Sequence, residues 1–231
     1  MAQKINYSIA GNGPCVVLLH GLMEDLHIWD DFSKCLSEYY KVICVDLPGH
    51  GESDIFGNVH TMDFMAQCVN AVLENHQISE CVMVGHSMGG YVTTAFAQMF
   101  SEKLKGICFF NSHAQAETEE GKKNRDRAAA AILKSKSELI ASFIRDLFTK
   151  ENREKYREEI NALIDRAKNM KPEAIAAAQR GMKERESGLS TLIEIKAPVL
   201  FIAGKQDPVI AIDKVMAQAH LPDHSELLIL G

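Results

Sequence analysis

Gly85-His86-Ser87-Met88-Gly89, continued by Gly90, is the stretch on which the fold turns. An apolar, valine-containing run (80–84) precedes it and a helix-like run (90–100) follows it. Strand, sharp turn, helix, with a serine at the apex, reads as a nucleophile elbow. The turn is tight enough to force Ser87 into a strained backbone conformation. Gly85 and Gly89 are then required, because a Cβ at either place would collide with the neighbouring strand or helix. The geometry lifts the serine Oγ clear of the sheet. It also sets the Met88 N–H at a helix N-terminus, where partial positive charge can hold an oxyanion. The same five letters also arise as an ordinary glycine-rich turn with an incidental serine, so the flanking strand and helix give them their meaning.

Outward from the elbow, short apolar runs bounded by Gly, Pro or Asp recur as strand candidates at 5–9, 15–20, 42–46, 81–85, 106–111, 199–203 and 226–230. Helical patterns lie between them at 29–40, 61–75, 88–100 and 212–220. Near-continuous apolar strands alternating with helices predict an α/β fold with a mostly parallel sheet covered on both faces.

One segment breaks the alternation. From 115 to 187 the sequence carries helical patterns only. Leu139, Ile140, Phe143, Ile144, Leu147 and Phe148 fall on one stripe, and Tyr156, Ile160, Leu163 and Ile164 on another. Pro172 suits the first turn of a third helix over 172–185. The expected organisation is a core of 1–114 and 188–231, with a helical lid of 115–187 inserted after the strand 106–111 and placed over the strand ends. The apolar stripes mostly pack lid against core, and the remainder line a pocket.

The chain has 231 residues, 46% hydrophobic and 24% charged, enough for one large α/β domain of ordinary globular composition. A net charge of −6 argues against nucleic acid as a partner. Of the 25 Lys and Arg, 17 lie between Lys122 and Arg185. Acids alternate with them there, as on a solvated helical surface. No apolar run approaches the ~18 residues of a membrane span, and the N-terminus shows no signal peptide, so the expected setting is a reducing cytoplasm with no membrane partner. The six cysteines show no metal-ligand spacing. Cys44, Cys81 and Cys108 fall inside strands and read as small buried hydrophobes. Neither a metal nor an organic cofactor is implied.

Serine is a weak nucleophile and needs a base, a group that orients the base, and donors for the oxyanion. The second donor is expected after the strand 15–20, where His20-Gly21-Leu22-Met23 turns back and offers the Leu22 N–H beside that of Met88. The loop Asp46-Leu47-Pro48-Gly49-His50-Gly51-Glu52-Ser53 reads as structural, tied down by hydrogen bonds from Asp46 or His50. The orienting acid is sought after the strand 199–203, at the sheet edge where parallel α/β proteins carry their sites. There Gly204-Lys205-Gln206-Asp207-Pro208 offers Asp207. The rival reading is that Asp207 caps a helix opened by Pro208.

Together, His20-Gly21, Asp46-Leu47-Pro48-Gly49-His50-Gly51, Gly85-His86-Ser87-Met88-Gly89-Gly90 and Gly204…Asp207-Pro208 resemble the α/β-hydrolase family, in its order and spacing and over the whole chain. Within that family the chain is similar to small lid-bearing esterases, lactonases and carbon–carbon bond hydrolases. The resemblance implies Ser87 as nucleophile, Asp207 as triad acid, and the Leu22 and Met88 N–H groups as the oxyanion hole. His20, His86, Asn111 and His113 are expected near a pocket for a small-molecule substrate, with Ser112 beside them. A serine at the elbow argues against epoxide hydrolases and haloalkane dehalogenases, which use an aspartate there.

The family's chain order is Ser, Asp, His, with the histidine just past the last core strand. Here that strand is 226–230, so the expected base would fall beyond Gly231, together with a last helix covering one sheet face. His113, past the strand 106–111, is the weaker substitute. A polypeptide ending at Gly231 is expected to be a poor hydrolase with apolar strands exposed. The expected activity is hydrolysis of a small ester, lactone or related acyl substrate. The alternatives are a hydrolase-like small-molecule binding protein, and acyl transfer or carbon–carbon cleavage on the same triad.

Overall fold

The computed structural model describes residues 3–231. Its first half runs β1 (Tyr7–Ala10), β2 (Cys15–Leu19), α1 (Asp30–Leu36), β3 (Lys41–Val45), α2 (Met62–Asn75), β4 (Cys81–His86), α3 (Met88–Phe100) and β5 (Leu104–Phe110). Six helices follow: α4 (Glu119–Lys134), α5 (Lys136–Asp146), α6 (Lys150–Lys155), α7 (Arg157–Asn169), α8 (Pro172–Glu184) and α9 (Leu189–Glu194). The chain then returns to the sheet through β6 (Val199–Gly204), α10 (Ile212–Ala219) and β7 (Ser225–Leu230). The seven strands lie in the order β1-β3-β2-β4-β5-β6-β7. β1 is antiparallel to β3 and every other pairing is parallel.

Side chains alternate along each strand, so the sheet has two faces of different character. Val17, Ile43, Met83, Phe109 and Phe201 point to one face, where α2, α3 and α10 bury them with Met65, Val69, Phe96 and Val215. Val16, Leu18, Val42 and Cys44 point to the other, under Leu26 and Trp29 from the turn before α1. Beyond that cover the second face is open. Val82, Val84, Phe110, Leu200 and Ile202 floor a groove of about 780 Å³. The buried strand cysteines behave as apolar groups: burial pushes the Cys81 and Cys108 thiols up to about 12.

The expected strands are all present within one or two residues. The first helix is shorter than its pattern: a 3-10 turn over Leu26–Trp29 precedes it and it ends at Leu36. Two other helix starts carry the local signals that sequence predicts. Thr61 accepts from the Phe64 N–H at 3.1 Å at the start of α2, and Pro172 occupies the first turn of α8.

The all-helical stretch lies between β5 and β6, but its packing departs from the stripes. Ile140 and Ile144 of α5 and Ile160 and Ile164 of α7 are buried, whereas Leu139 and Tyr156 are exposed. Leu147 and Phe148 fall past the end of α5. A further short helix, α9, lies outside the 115–187 range. α8 is the deeply buried member. Ala174, Ile175, Ala176, Ala177 and Ala178 are sealed, and a Cβ on Gly181 would overlap the His60 carbonyl. Small residues on α8 thus let it lie directly on the loop before α2.

Candidate active site

Ser87 sits between β4 and α3 with φ 49° and ψ −113°. That is backbone space a side chain rarely occupies, at a cost of about 1–3 kcal/mol. The surroundings enforce it. The Ser87 N–H donates to the Phe110 carbonyl at 3.0 Å, and the Ser87 carbonyl accepts from Gly90 N–H at 3.0 Å and Ser112 Oγ at 2.7 Å. A Cβ on Gly85 would overlap the Gly89 backbone, and one on Gly89 would come within 2.8 Å of the His20 carbonyl oxygen. The two flanking glycines are therefore required by close approach, as the elbow predicts.

Met88 opens α3, so its N–H has no acceptor within the helix and carries the positive end of the helix dipole. Across from it the loop after β2 is pinned on both sides of Gly21. The Gly21 N–H donates to Glu24 Oε2 at 2.6 Å, and the Gly21 carbonyl accepts from the His20 ring at 2.7 Å. Met23 takes the left-handed conformation with φ 62°. With Gly21 engaged, the next N–H in the turn is that of Leu22. It donates to no other group among the described residues, and neither does that of Met88.

Asp207 lies in the loop after β6. Its Oδ1 accepts from the Val209 and Ile210 N–H groups at 2.8 Å each, leaving the second carboxylate oxygen uncommitted by these bonds. The helix expected to open at Pro208 opens instead at Ile212, so Asp207 caps a turn and not a helix. The helix-cap reading is thus replaced by a turn held by one oxygen, and the second oxygen is left for a partner.

A profile of the alpha/beta hydrolase fold matches residues 14–231. The chain belongs to the alpha/beta hydrolase family. Among curated relatives, 3-oxoadipate enol-lactonase 1 of Acinetobacter baylyi (strain ATCC 33305 / BD413 / ADP1) is 29% identical over 216 residues, which cover 91% of this chain and 78% of the relative. Among solved structures, a thermophilic esterase from Thermogutta terrifontis (malate bound) superposes with a TM-score of 0.94 at 28% identity, covering 98% of this chain and 84% of the esterase. The enol-lactonase from Burkholderia xenovorans LB400 shares the fold, with a TM-score of 0.91 at 22% identity over 99% of this chain and 88% of that one.

Within this alpha/beta hydrolase the expected pocket residues go to different places. His20 is sealed: one ring nitrogen donates to the Gly21 carbonyl and the other accepts from the Leu47 N–H at 2.9 Å. Its ring splices two loops. Asn111, in the left-handed region at φ 43°, accepts from the Gly204 N–H at 3.0 Å and ties β5 to β6. His113 packs on Tyr91 and lines a separate polar cleft of about 190 Å³ with Arg185 and Thr94; Ser87 is not in its wall. Burial, with the Arg185 charge, holds the His113 imidazole down to about 4. The loop after β3 is structural as expected. The Asp46 carboxylate accepts from the Leu26 N–H, the Asn6 amide and the Glu52 N–H.

His86 does lie at the elbow, in company that no sequence motif marks. Its Nδ1–H donates to Glu24 Oε2 at 2.8 Å. Burial pulls the imidazolium toward neutrality, but the Glu24 charge and hydrogen bond, with Asp207 adding, outweigh it and raise its pKa. Burial also pushes Glu24 up, and His86, the Gly21 N–H and His20 overcome it, so the carboxyl is held below its usual value. The only hint in the sequence is that Glu24 and Asp25 interrupt an otherwise apolar loop, which is weak evidence for a partner 62 residues away.

Proposed function

We propose that this protein is a serine hydrolase that cleaves a small ester, lactone or related acyl substrate through an acyl-enzyme on Ser87. The observation that carries the reading is the backbone of Ser87, strained at φ 49° and held between two glycines that tolerate no side chain. Strain of this kind is retained where it serves a site, and here it presents a hydroxyl at the mouth of a helix dipole. Relatives named as an enol-lactonase and an esterase support the same substrate class.

In this reading Ser87 Oγ attacks the acyl carbon and its proton passes to a histidine base. The carbonyl oxygen becomes an oxyanion held by the Leu22 and Met88 N–H groups. Collapse of the tetrahedral intermediate expels the alcohol, protonated by the same base, and water then releases the acid by the reverse sequence. Asp207 orients the base with the carboxylate oxygen its turn leaves uncommitted. Among the described residues no histidine ring is hydrogen-bonded to the Ser87 hydroxyl. His86 and Asn111 flank this centre. The helical stretch 115–187 serves as a lid over the core of 1–114 and 188–231. Arg166 of α7 reaching to within 3.4 Å of Asp25 supports that placement.

Reaction with a fluorophosphonate followed by intact-protein mass spectrometry tests the nucleophile. A single adduct, lost in Ser87→Ala, is expected. An unlabelled protein that still shows a saturable thermal shift with a lactone would favour a binding role over hydrolysis.

A further inference from the structure

We propose that Glu24 is a positioning residue which, through His86, fastens the oxyanion loop to the nucleophile elbow. The proposal rests on the serine-hydrolase reading and goes further, naming what aligns the two halves of the oxyanion hole. Leu22 belongs to the loop after β2, and Met88 to the start of α3. An oxyanion needs both N–H groups at about 2.7–3.1 Å from one point, so the two elements must hold register to a few tenths of an ångström. Backbone pairing of β2 with β4 ends at Leu19 and Gly85, short of both donors.

Glu24 spans that gap. A single carboxylate oxygen, Oε2, accepts from the Gly21 N–H at 2.6 Å and from the His86 ring at 2.8 Å. The first bond fixes the His20–Gly21 peptide, one residue before the Leu22 N–H. The second reaches the residue just before Ser87. Glu24 is 8% exposed, so the pair works away from bulk water, where a charge-assisted bond is strong. Space is limited as well: a Cβ on Gly21 would come within 2.8 Å of Glu24 Oε2, 3.1 Å of His86 Nδ1 and 3.2 Å of the Ser87 Cβ. Loop, carboxylate, imidazole and nucleophile therefore meet at one point.

The groups facing the pair are few. Asp207 adds negative charge beside His86, and Phe110 packs edge-on against its ring at 5.9 Å. The neighbouring Asp25 is occupied by the His27 N–H and Arg166. Glu24 is therefore the carboxylate hydrogen-bonded to His86, and its charge favours the protonated ring.

Hydrolysis of p-nitrophenyl acetate by wild type, Glu24→Gln, His86→Gln and the double variant tests this. An amide oxygen can still accept from Gly21 but has no charge to favour the protonated imidazole. Glu24→Gln should lower kcat about tenfold or more with KM within about twofold, because the oxyanion donors act in the transition state. His86→Gln should do the same, and the double variant should be no worse than either single one, as for two ends of one link. Titration of the His86 ring by NMR reads the pair without turnover: its pKa should drop in Glu24→Gln. Wild-type kcat in Glu24→Gln, or losses in the two single variants that multiply in the double, would overturn the proposal. An unchanged His86 titration would overturn it even if the variants folded poorly. A wild type that hydrolyses no ester sinks the hydrolase reading instead, a distinguishable result.

Discussion

The Ser112 hydroxyl donates to the Ser87 carbonyl across 2.7 Å, joining the end of β5 to the strained turn at the end of β4. Ser112 is fully buried, so Ser112→Ala leaves that carbonyl with one partner fewer and no water to replace it. The expected loss is about 1–2 kcal/mol of stability, with a further fall in kcat as the elbow relaxes. Denaturant melts and ester kinetics on the same preparation check both. An unchanged melt would mean Ser112 is not holding the turn.

Ser87→Gly separates strain from chemistry. Glycine occupies φ 49° without penalty, and the strain of about 1–3 kcal/mol is relieved against an entropic cost of roughly 0.5–1 kcal/mol in the unfolded chain. The variant should therefore melt higher than wild type while losing all fluorophosphonate labelling. A lower melting temperature would remove the argument from strain.

Asp207→Asn and Asp207→Ala divide the two duties of that side chain. Asparagine can keep accepting from Val209 and Ile210, so stability should stay near wild type while turnover falls by about 10⁴-fold, as when a triad acid loses its charge. Alanine should lose the turn as well, about 1 kcal/mol. Equal turnover in wild type and Asp207→Asn would remove Asp207 from the triad.

Glu117 holds two arginines where the helical stretch begins and ends. Its Oε2 accepts from Arg125 Nε at 2.8 Å and Arg185 Nη1 at 3.0 Å, and Arg185, only 6% exposed in its side chain, also lies over the Tyr91 ring at 4.0 Å. Glu117→Ala strands a buried guanidinium and should cost about 3 kcal/mol. Hydrogen exchange should then rise across α4 and α8 before the sheet. Uniform exchange throughout would show that the helices do not hinge on this cluster.

Acid should weaken the fold through three histidines buried in the loops beside the sheet. His20, His50 and His60 are each held below the ordinary value of about 6.5, chiefly by burial, and the His20 and His50 rings lie 5.0 Å apart. A lowered folded pKa means the unfolded chain takes up protons first. The stability these rings contribute is complete above about pH 6.5 and drains away as pH falls below it, by up to about 1.4 kcal/mol per pH unit for each ring. His86 runs the other way, since its raised pKa stabilises below the unfolded value and is lost as pH rises through the folded one. Melts at pH 7.5 and 5.5 should show the net loss, and His50→Asn should shrink it. The same slope in His50→Asn would exclude His50 as a source.

The seven strands, the elbow and the place of the helical stretch follow from the order of residues along the chain. Each depends on local rules: alternation sets a strand, 3.6-residue spacing sets a helix, and glycines at 85 and 89 mark a turn that admits no side chain. Asp46 was legible as a loop anchor for the same reason. The remaining features depend on residues distant in the chain. Glu24 meets His86 because β2 and β4 are neighbours, a fact of strand order that no window of sequence contains. His20 is sealed by Leu47, and His113 turns toward Tyr91 and away from Ser87. Leu139 and Tyr156 lie on apolar stripes yet face solvent. Periodicity reports which side chains share a face, whereas burial and partnership depend on what the fold brings against that face.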